Sequence, residues 1–250
     1  MNHLEVRHLS KSFETNSVLK DVHFSVGNGE FVSLLGPSGS GKSTLFRIIG
    51  GISLPSSGSI HLNGEKINGK RGSISYTPQS PSLMPWRTIL DNVLLGQELT
   101  GYRDREKAIA MMKRAGLEGY EKAYPHELSG GMKQRASFIR SLLSPQELIL
   151  LDEPFSALDE FTRIDMQKWL LSIWEAHQRS ILFITHHIEE AIFLSDRIII
   201  LSARPATVRK EFVIPFERPR KESLLLSDEF LQWKKKIYEE MRFPHVSSSD

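Results

Sequence analysis

Gly36-Pro37-Ser38-Gly39-Ser40-Gly41-Lys42-Ser43-Thr44 follows the spacing G-x-x-x-x-G-K-[ST]. Phosphate oxygens need several N–H donors converging on them. A loop offers these from its backbone only where side chains do not crowd it, hence the glycines. A helix starting near Lys42 would add its free N–H groups and the positive end of its dipole. Lys42 brings a point charge for the β- and γ-phosphates, and the Ser43 hydroxyl is a hard-oxygen ligand for Mg²⁺. The segment therefore predicts a phosphate site, against the simpler reading of a Gly/Ser-rich turn.

Asp152-Glu153-Pro154 follows the apolar run Leu148-Ile149-Leu150-Leu151. A carboxylate at the C-terminal end of a parallel strand points into the crevice where such sheets bind ligands. Asp152 is expected to help hold Mg²⁺, directly or through water. Glu153, one residue on, is placed to polarise an attacking water as a general base.

The segment Leu128-Ser129-Gly130-Gly131-Met132-Lys133-Gln134-Arg135 is physically a second anion cradle, a hydroxyl and glycine amides at a helix start. It resembles the signature of the ATP-binding cassette (ABC) ATPases. Further segments follow in that family's order. The resemblance places Phe13 where an aromatic ring stacks on adenine, with a core phenylalanine as the competing reading. It makes Gln79, within Tyr76-Thr77-Pro78-Gln79, a sensor of metal and nucleotide. It makes Ser156-Ala157-Leu158-Asp159 the loop that meets a partner subunit, and His186 the switch residue at the γ-phosphate. His187, where relatives often carry Asp, and Pro78 before Gln79 depart from the pattern.

The resemblance covers roughly residues 4–215. It implies that ATP and Mg²⁺ are held by Gly36, Ser38, Gly39, Ser40, Gly41, Lys42, Ser43, Thr44 and Gln79 of one chain. Ser129, Gly130, Gly131 and Asp159 would come from a second chain packed head-to-tail. Catalytic roles fall on Lys42, Glu153 and His186, and metal roles on Ser43, Gln79 and Asp152.

These residues need elements to carry them. Phe31-Val32-Ser33-Leu34-Leu35 reads as a buried strand running into Gly36. Val22, Phe24 and Val26 alternate as in a half-buried strand, and Ser59 to Leu62 runs into the turn pair Asn63-Gly64. Residues 88–98, 103–115 and 129–143 carry helical patterns, the second stopped by Gly116. Met166, Trp169, Leu170, Ile173 and Trp174 form the stripe of a helix packed on the sheet. Ile181 to Ile184 and Ile198 to Leu201 are further core strands. The expected fold is α/β: a P-loop NTPase core of RecA-like type with a parallel sheet, an N-terminal antiparallel β-subdomain and an inserted helical subdomain. Within one domain spanning 1–250, residues 1–85 and 144–220 form the nucleotide-binding core and 86–143 the helical part. Residues 221–250 form a C-terminal helix and a frayed tail, Val246 to Asp250. On that helix Phe230, Trp233, Ile237 and Met241 face inward and Lys234-Lys235-Lys236 outward, with a membrane-surface helix as the alternative.

The chain has 250 residues, 40% apolar and 25% charged, with Lys+Arg 32 against Asp+Glu 30. That composition supports a packed core and argues against a dedicated nucleic-acid binder. The absence of cysteine excludes disulfides, thiol nucleophiles and Cys-ligated zinc. No stretch approaches a membrane span, and the start lacks the build of a secretory signal. Arg204, Arg209, Lys210, Arg218, Arg220 and Lys221 read as a solvated strand edge, with attraction to anionic headgroups as the competing reading.

The resemblance then implies a homodimer, or a pair with a second ATPase subunit, at the cytoplasmic face of the cell membrane. Its partners would be an integral membrane permease and, indirectly, a periplasmic or extracellular solute-binding protein. Leu83-Met84-Pro85-Trp86 would line the groove for the permease, with core packing as the competing reading of Trp86. The branch resembled is that of nitrate, sulfonate and taurine importers, which includes uptake of vitamin-precursor pyrimidines. Competing classes are a non-transport cassette in translation or DNA repair, and a P-loop kinase or GTPase. Neither long heptad arms nor a guanine-reading Asn-Lys-x-Asp motif is present to support them.

Overall fold

The computed structural model describes residues 2–242; the tail Val246 to Asp250 lies outside the described residues. Two sheets carry the site. The first is antiparallel, in the order β2-β1-β4-β5, from β1 (Asn2–Phe13), β2 (Asn16–Gly27), β4 (Ser57–Leu62) and β5 (Glu65–Lys66). The Asn63-Gly64 turn joins β4 to β5, with φ of 50° and 83° at the two residues. Positive φ at both positions is the requirement of a tight hairpin turn that matches strand twist.

The second sheet runs β10-β9-β3-β8-β7-β6, from β3 (Phe31–Leu35), β6 (Ser75–Thr77), β7 (Leu148–Asp152), β8 (Ser180–Ile184), β9 (Arg197–Leu201) and β10 (Val208–Val213). All its pairings are parallel except β10 on β9. β3, β7 and β8 are buried throughout, as continuous apolar runs covered on both faces must be.

Period-two alternation splits the core between those faces. Val32, Leu34, Leu148, Leu150, Leu182, Ile184 and Ile199 pack with the antiparallel sheet and with α1 (Lys42–Ile49). Phe31, Leu35, Ile149, Leu151, Ile181, Phe183 and Ile198 face the remaining helices. These are α2 (Ile89–Glu98), α3 (Arg105–Arg114), α4 (Gly130–Leu143), α5 (Glu160–His177), α6 (Ile188–Leu194) and α7 (Asp228–Met241).

Helix starts follow local chemistry. Thr88, Asp104, Ser129, Asp159 and Ser227 are N-caps whose side chains accept from the third following amide. Helices α2, α3 and α4 pack on one another. Trp169 and Trp174 lie in the core, as the stripe on α5 predicts.

The terminal helix docks rather than standing free. Phe230 and Ile237 are buried, Trp233 meets Phe212 and Phe216 edge-on, and Lys234 pairs with Glu189 of α6. Lys235 and Lys236 are exposed, as the sequence pattern predicts, and Lys236 sits over the Trp233 ring at 4.2 Å.

The basic stretch beyond β9 is a solvated edge only in part. Arg209 and Lys210 are exposed on the edge strand β10, whereas Arg218 and Arg220 turn inward, which corrects the sequence expectation for those two. Arg220 is 8% exposed, and its Nη1 donates to the carbonyls of Ile192, Phe193 and Ser195 at 2.7–3.1 Å. It closes the C-terminal end of α6, where carbonyls lack helical partners. Arg218 pairs with Asp196 and stacks over Trp174 at 4.0 Å. Arg209 and Lys210 both reach Glu240. Lys221 is exposed, and Arg204 lies elsewhere.

Candidate nucleotide site

The loop from Gly36 to Gly41 joins the C-terminal end of β3 to α1. Gly39 and Gly41 adopt φ of 75° and 114°, a region that a side chain strains. At Gly41 a Cβ would also meet Val18 Cγ1 at 2.8 Å. The loop curls round its own lysine: Lys42 Nζ donates to the carbonyls of Gly36 at 2.8 Å and Pro37 at 3.0 Å. Burial holds the Lys42 pKa below its ordinary value, and the nearby Glu153 and Asp152 carboxylates oppose that. The Ser40 hydroxyl is buried without a hydrogen-bond partner.

A cavity of about 300 Å³ opens on this loop. Its floor is Ser38, Gly39 and Gly41 to Thr44, and its rim takes Gln79, Glu153 and Arg204 from three other segments. Gln79 follows β6 and Glu153 follows β7, so adjacent parallel strands deliver both to one edge of the sheet. Gln79 Nε2 donates to Glu153 Oε2 at 2.9 Å, and His186 Nδ1 stands 3.5 Å from the same oxygen. Glu153 has φ of 49°, an uncommon conformation for a side-chain-bearing residue and one that concentrates at functional sites. Its amide donates to the Ile184 carbonyl at the end of β8, and this tethers the strained residue.

Asp152 is 2% exposed. Burial pushes its pKa up to about 6; the Ser43 hydroxyl pulls it down, the Glu153 charge pushes it up, and Lys42 and the Tyr76 hydroxyl pull it down. Its Oδ1 is buried with no hydrogen-bond partner. An orphaned carboxylate oxygen beside a serine hydroxyl is a hard-oxygen pair, and it fits Mg²⁺. That ion takes one or two carboxylates and completes its shell with phosphate and water. Among the described residues no group of three or more His, Asp or Glu side chains forms a dedicated metal cage.

The two adjacent histidines face different surroundings. The His186 ring turns to Glu153, whereas His187 lines a separate cavity with Glu189, Glu190 and Lys234. Phe13 ends β1 and is 51% exposed, so it is not a core residue; Lys11 Nζ lies 4.8 Å over its ring. Trp86 is 72% exposed, which rules out core packing there as well.

The second cradle is not brought to the cavity. Ser129 caps α4 by accepting from the Met132 amide, and Ser129 and Gly130 are exposed. A Cβ on Gly131 would press on Leu158 Cδ2 at 3.3 Å, which packs the cradle against the Ser156 to Asp159 loop. Asp159 accepts from the Thr162 amide and hydroxyl as the cap of α5. None of these residues lines the cavity of the phosphate loop.

Two residues join the site that sequence reasoning did not assign to it. Gln134, buried on α4, donates from Nε2 to the carbonyls of Glu153 at 3.2 Å and Gln79 at 3.4 Å. It stands inside the Leu128 to Arg135 motif, so its position carried the signal. Arg204, read as part of a basic edge, stands on the cavity rim, and no local sequence signal places it there.

Comparison with known proteins adds the following. The family model described as ABC transporter matches residues 19–156. The aliphatic sulfonates import ATP-binding protein SsuB of Bacillus cereus is 38% identical, across 95% of this chain and 93% of its own. The nitrate import ATP-binding protein NrtD of Synechocystis is 43% identical, across 85% of this chain and 82% of its own. Among solved structures, the dimeric post-hydrolysis state of the ATP-binding cassette MJ0796, bound to ADP and Pi, superposes with a TM-score of 0.76. It is 29% identical and covers 86% of this chain and all of its own.

Proposed function

The chain belongs to the ABC transporter family, and from that premise we propose that this ATPase drives an importer for nitrate, sulfonate or taurine, or for a vitamin-precursor pyrimidine. Two copies, or this chain and a second ATPase subunit, pack head-to-tail at the cytoplasmic face of the membrane. There they work a separate permease fed by a solute-binding protein. The names of the sulfonate and nitrate relatives support import over a role in translation or repair. No helix among the described residues is long and apolar enough to cross a membrane.

The observation that carries the hydrolytic role is the Glu153 carboxylate held on the cavity rim by Gln79 at 2.9 Å, with His186 beside it. The phosphate loop seats the triphosphate, and Lys42 exchanges its two loop carbonyls for phosphate oxygens. A water beside Glu153 attacks the terminal phosphorus, and its proton passes to the carboxylate. The bond from that phosphorus to the bridging oxygen breaks, leaving ADP and phosphate. Mg²⁺, when held by Ser43, Asp152 and Gln79, spreads the charge of the phosphate chain.

The exposed signature supports the head-to-tail arrangement. Ser129, Gly130 and Gly131 present a hydroxyl that still has its proton to donate, and the first amides of α4, away from their own cavity. A second copy would lay them on the terminal phosphate, closing the dimer through charge-assisted hydrogen bonds that hydrolysis removes.

The test is phosphate release from Mg-ATP by the chain with its permease, beside uptake of nitrate, alkanesulfonate and taurine. Substituting Lys42 with Ala is expected to abolish release and uptake together. Release that survives that substitution overturns the reading.

A further inference from the structure

We propose that Arg204 binds the phosphate chain of the nucleotide as a second fixed cation opposite Lys42; this deepens, and rests on, the reading of the cavity as a nucleotide site. Arg204 stands on the rim of that cavity with Gln79 and Glu153. Arg209, Lys210, Arg218 and Arg220 of its stretch are engaged by a carboxylate, a ring or backbone carbonyls, and Lys221 does not line the cavity. Arg204 has no hydrogen bond or ion pair to another described residue. An uncompensated guanidinium beside a phosphate cradle is the donor set that recognises phosphate oxygens in pairs.

Its placement is not that of a loose loop. β9 lies beside β3 in parallel register, so the segment after Leu201 leaves the sheet at the same edge as the phosphate loop. The two segments touch: a Cβ on Gly36 would meet the Leu201 carbonyl at 3.0 Å. The turn is tied across its base, with the Ser202 amide donating to the Thr207 carbonyl and the Thr207 amide to the Ser202 hydroxyl, both at 3.0 Å. Ala206, fully buried, bonds to β2 in both directions: its amide to the Val18 carbonyl and its carbonyl from the Lys20 amide, each at 2.9 Å. Val18 and Leu19 are the same residues that press on Gly41. The turn that carries the arginine and the cradle are thus braced on the same stretch of β2, which sets the Arg204 backbone at a fixed offset from the phosphate loop.

Charge supports the same end. Lys42 is the cation on the cavity floor, and Glu153 puts a negative charge on the rim. A triphosphate carries more negative charge than Lys42 alone offsets, and Arg204 is the second basic side chain lining the cavity.

The experiment is calorimetric titration of the full chain with ATP and with adenosine, at two salt concentrations. The variants are Arg204→Ala, Arg204→Lys and, as control, Lys42→Ala. Arg204→Ala is expected to raise the Kd for ATP about tenfold or more, to flatten its salt dependence and to leave adenosine binding unchanged. Arg204→Lys is expected to recover part of the loss. The melting temperature should stay that of the wild type, since the side chain is exposed. If Arg204→Ala binds ATP as the wild type does while Lys42→Ala does not, the proposal is wrong and the nucleotide reading stands. Equal weakening of ATP and adenosine also overturns it. If Lys42→Ala binds ATP as the wild type does, the nucleotide reading fails and the proposal falls with it.

Discussion

Gln134 on α4 donates one side-chain amide to the backbone carbonyls of both Gln79 and Glu153, the residues that flank the cavity after β6 and β7. It ties the start of the signature helix to the two rim residues nearest the proposed chemistry. The amide is buried, so losing it leaves the Gln79 carbonyl short of a donor, while the Glu153 carbonyl keeps the Ser156 amide and hydroxyl. Gln134→Ala is expected to lower turnover about tenfold while the KM for ATP moves little, because positioning rather than binding is lost. Steady-state kinetics with and without the permease check this. A change in KM alone would contradict it.

Arg220 makes a stability prediction independent of the nucleotide. Its guanidinium satisfies three carbonyls at the end of α6 and, through Nε and Nη2, the Phe216 carbonyl. Removing it with Ala is expected to cost about 3 kcal/mol, the penalty of leaving buried carbonyls unpaired. Urea unfolding measures the loss.

Glu190 supplies a pH dependence. Burial raises its pKa; the Thr185 hydroxyl, Arg163, His186 and Gln167 pull it down without cancelling the rise. The folded chain thus binds this proton more tightly than the unfolded chain, whose glutamate titrates near 4.5. Between that value and the raised one, the group's contribution to stability falls as pH increases. Glu190→Gln removes that slope. The difference in urea midpoint between the two proteins should therefore grow in favour of the glutamine variant from about pH 4.5 upward. A difference that does not change with pH would contradict it.

Trp86 tests the partner face. An exposed tryptophan beside the loop after β6 is a candidate anchor for the permease. Trp86→Ala is expected to weaken the permease complex by about 2 kcal/mol, roughly thirtyfold in Kd, and to spare ATP hydrolysis by the chain alone. Unchanged co-purification under dilution would contradict it.

Much of the core was legible in sequence because its strands are uniform apolar runs and its helices carry full stripes and caps. β7, β8 and β9 carry unbroken apolar segments and β3 one interrupted only by Ser33, and Thr88 and Ser129 mark their helices in advance. β10 was not legible: only Phe212 along it is buried, so it carries no period. The cavity's own floor reads directly from Gly36 to Thr44, since a contiguous loop needs no fold to assemble it. Its rim does not. Arg204 reaches it only because β9 lies next to β3, and Gln134 only because α4 crosses the ends of β6 and β7. Arg218 and Arg220 resemble solvent-facing charges in sequence because their partners are a ring on α5 and the carbonyls ending α6.

The central claim is that ATP is clamped between two copies of the chain and that its cleavage releases them. Light scattering of Glu153→Gln measures this directly, since the variant should bind ATP and turn it over slowly. In Mg-ATP its mass is expected to be twice the 28.5 kDa of one chain, and in Mg-ADP that of a single chain. A single-chain mass in saturating Mg-ATP, with nucleotide demonstrably bound, would contradict the account.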